Sequence, residues 1–171
     1  VINYVYIVHN QAKRDPLTGL ANRMAYEEYL AAFQRKTGRK LAALNIDLDD
    51  FKQINDSFGH HEGDRALQLF AQSLAATFAG KGLAVRLGGD EFLVLLQEER
   101  PEVLQRYVEA LQERILTHTR QLQLPYTIRF SYGLTTLDEG YQSVREMVEH
   151  SDALMYAKKQ GKEGKARSKT R

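Results

Sequence analysis

The sequence predicts a mixed α/β fold in which helices pack on one largely antiparallel sheet. Three observations predict it. Two short apolar runs, Leu83-Ala84-Val85 and Phe92-Leu93-Val94-Leu95-Leu96, flank a glycine pair, the pattern of two strands joined by a tight hairpin. Residues 126–135 alternate strictly, with Tyr126, Ile128, Phe130, Tyr132 and Leu134 on one face, as a half-buried strand does. Between such runs lie stretches with apolar residues at helical spacing, so helices and strands are interleaved.

In chain order, residues 1–14 place Val1, Val5, Val8 and Ala12 at helical spacing and read as a helix connecting to an upstream segment, with a strand as the alternative because Val, Ile and Tyr favour strands. Asp15-Pro16-Leu17-Thr18-Gly19 breaks that pattern as a loop. Asn22 can cap a following helix in which Met24, Leu30 and Phe33 face inward, with Gly38 at its end. Residues 41–46 are mostly apolar, as in a strand buried on both faces, and run into Asp47-Leu48-Asp49. Alternation puts Asp47 and Asp49 on one face and Leu48 on the other. A short helix over 50–58 breaks at Gly59, His60 and His61 fall in a loop, and Asp64 opens the next helix. Its stripe is Ala66, Leu69, Phe70, Ser73, Leu74, Thr77 and Phe78. Pro101 sits in the first turn of a helix over 101–119, where its missing N–H costs nothing. The last helix covers 143–160 with Val144, Met147, Val148, Ser151, Leu154 and Met155 inward, and Gly161 stops it.

At 171 residues the chain can bury one real core, and with 43% hydrophobic and 27% charged residues it reads as an ordinary globular domain. The absence of cysteine excludes disulfides, thiolate metal sites and a cysteine nucleophile, and fits a reducing compartment. Five histidines without ligand spacing speak against zinc. The net charge of +2 is local: residues 161–171 carry five basic side chains and one acid, leaving 19 basic and 21 acidic elsewhere. The body is therefore no polyanion-binding surface, and no nucleic-acid partner is expected. No stretch approaches the roughly 20 apolar residues of a membrane span. The start, Val1-Ile2-Asn3-Tyr4, lacks an initiator Met and a signal pattern, and reads as a fragment of a longer chain.

The chemistry concentrates in Arg86-Leu87-Gly88-Gly89-Asp90-Glu91. Two adjacent carboxylates on a glycine turn do nothing for a core, but they suit a divalent cation. If the strand ending at Asp47 neighbours this hairpin, three or four carboxylates converge. Oxygen ligands without thiolate select Mg²⁺ or Mn²⁺, and two such ions can serve a phosphoryl displacement. Lys52, Arg86, Lys158 and Lys162 are the basic partners for phosphate. A lone Asp at a strand end is ordinarily a cap or solvated; the combination of Asp47, Asp49 and the Gly-Gly-Asp-Glu turn is what points to a site.

Gly88-Gly89-Asp90-Glu91-Phe92 resembles the signature of GGDEF domains, the diguanylate cyclases. Asp15 through Arg23 resembles the family's opening block, Asp47 through His60 with Gly63-Asp64 its long central block, and Ser151 through Lys158 its closing block. The resemblance spans Asp15 to about Lys162, with residues 1–14 as a connecting helix, 15–162 as the catalytic domain and 163–171 as a basic tail. It implies a palm-like nucleotidyl-cyclase fold, with about five strands in a mostly antiparallel sheet flanked by helices. It implies that two GTP condense to cyclic di-GMP and two pyrophosphates, at a half-site completed by a second protomer. Asp47, Asp90 and the Leu48 carbonyl would hold Mg²⁺ or Mn²⁺, two ions per half-site with GTP bound. Glu91 would help deprotonate the 3′-hydroxyl, with Asp90 and Lys52 beside it as catalytic groups. Asn55 and Asp64 would read guanine, Asp64 favouring GTP over ATP. Lys52, Arg86, Lys158 and Lys162 would bind phosphate.

Two positions depart from the family. Gly161-Lys162-Glu163 replaces a closing Gly-Arg-Asn, and lysine lacks the bidentate fork of arginine. Ala79-Gly80-Lys81-Gly82 replaces the Arg-x-x-Asp product-inhibition motif, so no such site is expected. The competing readings are a catalytically silent GTP-binding module that regulates a partner domain and a purely structural dimerisation module. The family context implies an upstream sensor and a cytoplasmic domain, tethered in some relatives to the inner membrane through an N-terminal region.

Overall fold

The computed structural model describes residues 11–33, 40–98, 100–137 and 140–168, with side chains described through Lys162. The elements are α1 (Arg23–Phe33), β1 (Ala42–Asp49), α2 (Phe51–Phe58), α3 (His60–Phe78), β2 (Gly82–Gly88), β3 (Glu91–Leu96), α4 (Pro101–Gln121), β4 (Arg129–Thr136) and α5 (Val144–Ser168). Four strands form one sheet in the order β2-β3-β1-β4, every neighbouring pair antiparallel. The mixed α/β class holds; the strand count among the described residues is four rather than about five. The connecting helix expected over 1–14 falls largely on residues 1–10, and Gly38 within 34–39, both outside the described residues.

β1 is central and buried on both faces, as its apolar run predicts. Ala42, Leu44, Ile46 and Leu48 face a core shared with α3 and α4, in which Phe70 contacts Phe92 at 4.8 Å and Phe130 at 5.6 Å between ring centroids. Leu41 and Ala43 face a second core built from Tyr26, Leu30 and Phe33 of α1 and from Val144, Met147 and Val148 of α5.

β4 departs from the half-buried expectation. Phe130 lies in the first core, but the alternate residues Ser131 and Thr135 are also buried, because α5 covers that face. The helix comes so close that a Cβ on Gly133 would stand 1.8 Å from the Ser151 carbonyl oxygen. Thr135 Oγ1 donates to the Met147 carbonyl at 3.0 Å, and Asn45 of β1 donates to the Val148 carbonyl at 2.9 Å and to the Ser151 hydroxyl. Small and hydroxyl residues thus read as a solvent face in sequence and serve as a helix-docking face in the fold.

Other boundaries shift for identifiable reasons. α3 begins at His60, not at Asp64, so both histidines stand in its first turn. α5 continues through Gly161 to Ser168; a glycine inside a helix costs only about 1 kcal/mol and need not end it. Met24 and Leu154, expected inward, are exposed, and Tyr26 takes the inward place in α1. Among the described residues no helix is long and apolar enough to cross a membrane.

Gly133→Ala is expected to cost about 1–3 kcal/mol or more, because a backbone carbonyl cannot yield to a new methyl as a side chain can. Urea unfolding would register this as a lower midpoint at unchanged slope.

Candidate active site

The site forms where β1 ends beside the β2–β3 turn. Gly88 pairs with Glu91, and Gly89 and Asp90 make the loop between them. Gly88 and Gly89 take φ values of +151° and +52°, a range that a side chain enters only under strain. The register also shifts between Arg86 and Gly88, a bulge of the kind that re-aims a chain beside functional groups.

Asp47 lies directly opposite Glu91, and opposite residues of an antiparallel pair point to the same face. The Leu48 N–H donates to the Asp90 carbonyl at 3.2 Å, tying the turn to the end of β1. Asp47, Asp90, Glu91 and the Leu48 carbonyl therefore gather at one corner of the sheet. Among the described residues no three His, Asp or Glu side chains surround a common metal position. Two carboxylates and a carbonyl ask for less, and they fit Mg²⁺, which keeps waters and takes phosphate oxygens to fill its shell.

Asp47 is only 8% exposed. Burial pushes its carboxyl above the ordinary range; a hydrogen bond from Lys159 opposes that push, and the charges of Asp90 and Glu91 add to it. Burial works against the Lys159 ammonium too, yet its bond to Asp47 and the charges of Asp47, Asp90 and Asp49 hold its pKa above that of a free lysine. Lys159 Nζ also reaches the Leu48 carbonyl at 3.4 Å. One turn on, Lys162 Nζ donates to Asp49 Oδ2 at 2.7 Å and to the Phe130 carbonyl at 2.9 Å, while Ser131 Oγ donates to Asp49 Oδ1 at 2.6 Å. A cleft of about 820 Å³ opens on the β4 side of these groups, lined by Asp49, Asp50, Arg129, Lys159 and Lys162 against Phe130.

Arg86 is engaged by the fold. Its guanidinium donates to the Gly89 carbonyl at 2.7 and 3.0 Å and to Asp15 at 3.0 Å. Asp15 in turn accepts from the Thr18 N–H at 2.8 Å and from its hydroxyl at 2.6 Å. Burial raises the Asp15 carboxyl, but the Thr18 bonds and Arg86 together outweigh it and hold the group below the usual range. The opening loop is thereby locked to the signature turn.

α2 and α3 bring Asn55 against Gly63, the residue that precedes Asp64. An added Cβ on Gly63 would lie 1.9 Å from Asn55 Oδ1, so the absence of a side chain there makes room for Asn55. The start of α3 is held by Tyr126 Oη, which donates to Glu62 Oε2 at 2.8 Å; burial and this bond push the phenol up to about 12. The ammonium of Lys158 lies 4.1 Å from the centre of the Tyr132 ring. Lys52 is exposed on α2.

Sequence reasoning missed Lys159. The inward stripe of the last helix, Val144, Met147, Val148, Ser151 and Met155, extends at the same spacing to Lys159 and Lys162, which is the signal that could have found it. Arg129, opposite Asp49 and 3.4 Å from Asp50, carried no signal before β4 was placed beside β1.

The chain matches the family model described as "Diguanylate cyclase, GGDEF domain" over residues 12–165. It is 35% identical to the diguanylate cyclase DgcP of Pseudomonas aeruginosa over 158 residues, covering 90% of this chain and 23% of that protein. It is 32% identical to the cyclic di-GMP phosphodiesterase PdeR of Escherichia coli over 161 residues, again 90% of this chain and 23% of that protein. The chain thus spans under a quarter of either relative. Among solved structures, the coiled coil and GGDEF domain of DgcB from Caulobacter crescentus, in complex with c-di-GMP, superposes with a TM-score of 0.82 at 27% identity, covering 93% of this chain and 86% of that one.

Because the Asp15 carboxyl is held below its ordinary value of 3.8, it adds stability above that pH and loses it as pH falls through the lowered value. Asp15→Asn is expected to cost about 2 kcal/mol at neutral pH. The cost should shrink toward zero in strong acid. Urea unfolding at neutral pH and at about pH 3 measures both; an equal cost at the two would assign the loss to shape rather than charge.

Proposed function

We propose, from the premise that this chain belongs to the GGDEF diguanylate cyclase family, that it condenses two GTP into cyclic di-GMP with release of two pyrophosphates. The observation that carries this reading is a division among the polar side chains. Asp90, Glu91, Asn55, Asp64 and Lys52 make no side-chain hydrogen bond or ion pair among the described residues, yet all stand near the end of β1 or on the two helices that follow it. The fold leaves them free for a ligand.

In this reading residues 15–162 are the catalytic unit, between a connecting helix at 1–14 and a basic tail at 163–171. Asp47, Asp90 and the Leu48 carbonyl hold Mg²⁺ or Mn²⁺, two ions when GTP is bound. The metal supplies neutralisation of charge on the phosphate oxygens. Asn55 and Asp64 receive the guanine edge, Asp64 accepting from N1–H and the exocyclic amine. Lys52, Lys158 and Lys162 meet the phosphates, and Arg86 holds the turn from which Asp90 projects. Glu91, exposed on the same face as Asp47, takes the proton of the 3′-hydroxyl as it attacks the α-phosphate of the GTP on a second copy. Each protomer then holds half of a site, and positioning with charge neutralisation supplies most of the rate. An upstream sensor would set how often the two halves meet.

A second reading, a GTP-binding regulatory module without turnover, draws support from the likeness to a relative named for phosphodiesterase activity. A dimerised form of the chain separates the two. Product from GTP and Mg²⁺, lowered at least about a hundredfold by Asp90→Ala or Glu91→Ala, supports the cyclase. Tight GTP binding with no turnover supports the module.

Gly63→Ala tests the guanine pair. The methyl must displace Asn55, so KM for GTP is expected to rise roughly tenfold, the cost of about one hydrogen bond, while thermal stability changes little. An unchanged KM would remove Asn55 from the site.

A further inference from the structure

Lys159 occupies a particular seat. Its ammonium donates to Asp47 Oδ1 and lies 3.4 Å from the Leu48 carbonyl, two of the three groups read above as the metal's ligands. The carboxylate beneath it is nearly buried, its side chain 12% exposed, and Asp90 and Glu91 stand beside it. A buried carboxylate with like charges around it is strongly destabilising when left alone. The fold therefore needs a cation at this point whether or not a ligand is present. The residue that supplies it is a lysine, a point charge on a flexible stem, and not the rigid fork of an arginine.

The backbone of Lys159 is held in place. α5 is pinned to β4 and β1 through Thr135, Gly133 and Asn45, so the ammonium can move only by swinging its stem. It has somewhere to go, because Lys159 also lines the cleft on the β4 side of the carboxylates. A divalent ion and an ammonium cannot share Asp47 and the Leu48 carbonyl, since like charges a few ångströms apart in a half-buried site repel by several kcal/mol.

We infer that Lys159 is an exchangeable place-holder for the metal, neutralising Asp47 in the empty site and yielding that seat when metal arrives with nucleotide, whose phosphates then take up the released ammonium. Lys159 is in this sense a positioning residue, and the inference rests on the reading of Asp47, Leu48 and Asp90 as the metal's ligands. It makes metal and triphosphate enter together: free metal must evict a paired ammonium, whereas metal with nucleotide brings that ammonium a new partner. The recognised ligand class is a divalent cation bound to a polyphosphate.

The test is Mn²⁺ binding to the full 171-residue chain without nucleotide, followed by the EPR signal of the free ion, in the wild type, Lys159→Gln, Lys159→Arg and Lys162→Gln. Lys159→Gln opens the seat and is expected to bind Mn²⁺ roughly tenfold more tightly or better. Lys162→Gln removes the same charge from Asp49 without opening the Asp47 seat, and is expected to gain less than about threefold. Lys159→Arg keeps the pair, and its affinity is expected at or below that of wild type. A second readout follows unfolding temperature: Lys159→Gln should melt below wild type without metal and gain more from Mn²⁺ than wild type does. Equal gains at positions 159 and 162, or none at 159, would overturn the exchange while leaving the metal site standing. No Mn²⁺ binding by any of the four proteins would overturn the metal reading and the exchange together.

Discussion

The docking of α5 onto β4 and β1 is the constraint on which the rest depends. With no side chain at Gly133 the helix settles directly on the sheet and runs along β1 in the same direction. Asn45, Asp47 and Asp49 of the strand then meet Ser151, Lys159 and Lys162 of the helix in order. Four residues of strand advance about 13 Å, and eleven of helix about 16 Å. Helical side chains lean back toward the N-terminus, which brings the two lysines level with the carboxylates. One apposition thus fills a core at its middle and assembles an electrostatic centre at its end.

The same architecture sorts polar groups into two kinds. Asp15, Arg86, Asp49, Ser131 and Asn45 are used up within the fold, each bonded to a partner distant in sequence. Asp90 and Glu91 lie on or beside a turn that other atoms hold: the Leu48 N–H grips the Asp90 carbonyl and Arg86 grips that of Gly89. The backbone of the turn is rigidly determined while its carboxylates stay uncommitted. Asp47, bonded to Lys159, is the carboxylate of this corner that the fold does engage.

Much of this was legible in the sequence. The buried strand β1, the glycine hairpin and the interleaving of helices follow from periods of 2 and 3.6 and from turn chemistry, all of them local. The carboxylates could be named because Asp47 and Asp90 stand at strand ends, where local pattern and chemistry coincide. What escaped was pairing at a distance. Small polar residues along β4 look the same whether they face water or a helix, and only Gly133 hints at the helix. Lys158 and Lys159 are equivalent to composition; helical phase separates them, and the phase needed extending past Met155 by one more turn. The bond between Arg86 and Asp15 left no mark in the local pattern, because the two lie 71 residues apart.

The two margins of the sheet are finished differently. At β2 the backbone of Ala21 is stitched on, its N–H to the Ala84 carbonyl at 3.2 Å and its carbonyl accepting from the Arg86 N–H at 2.9 Å. At β4, Lys162 takes the Phe130 carbonyl and Lys158 lies over the Tyr132 ring, so that margin is lined with ammonium groups. Charged lysines and an already paired backbone are two of the defences against strand-on-strand growth. This molecule is built against joining a neighbour by extending its sheet. Any contact between copies at these two margins would have to run through side chains rather than through a continuous ribbon of strands.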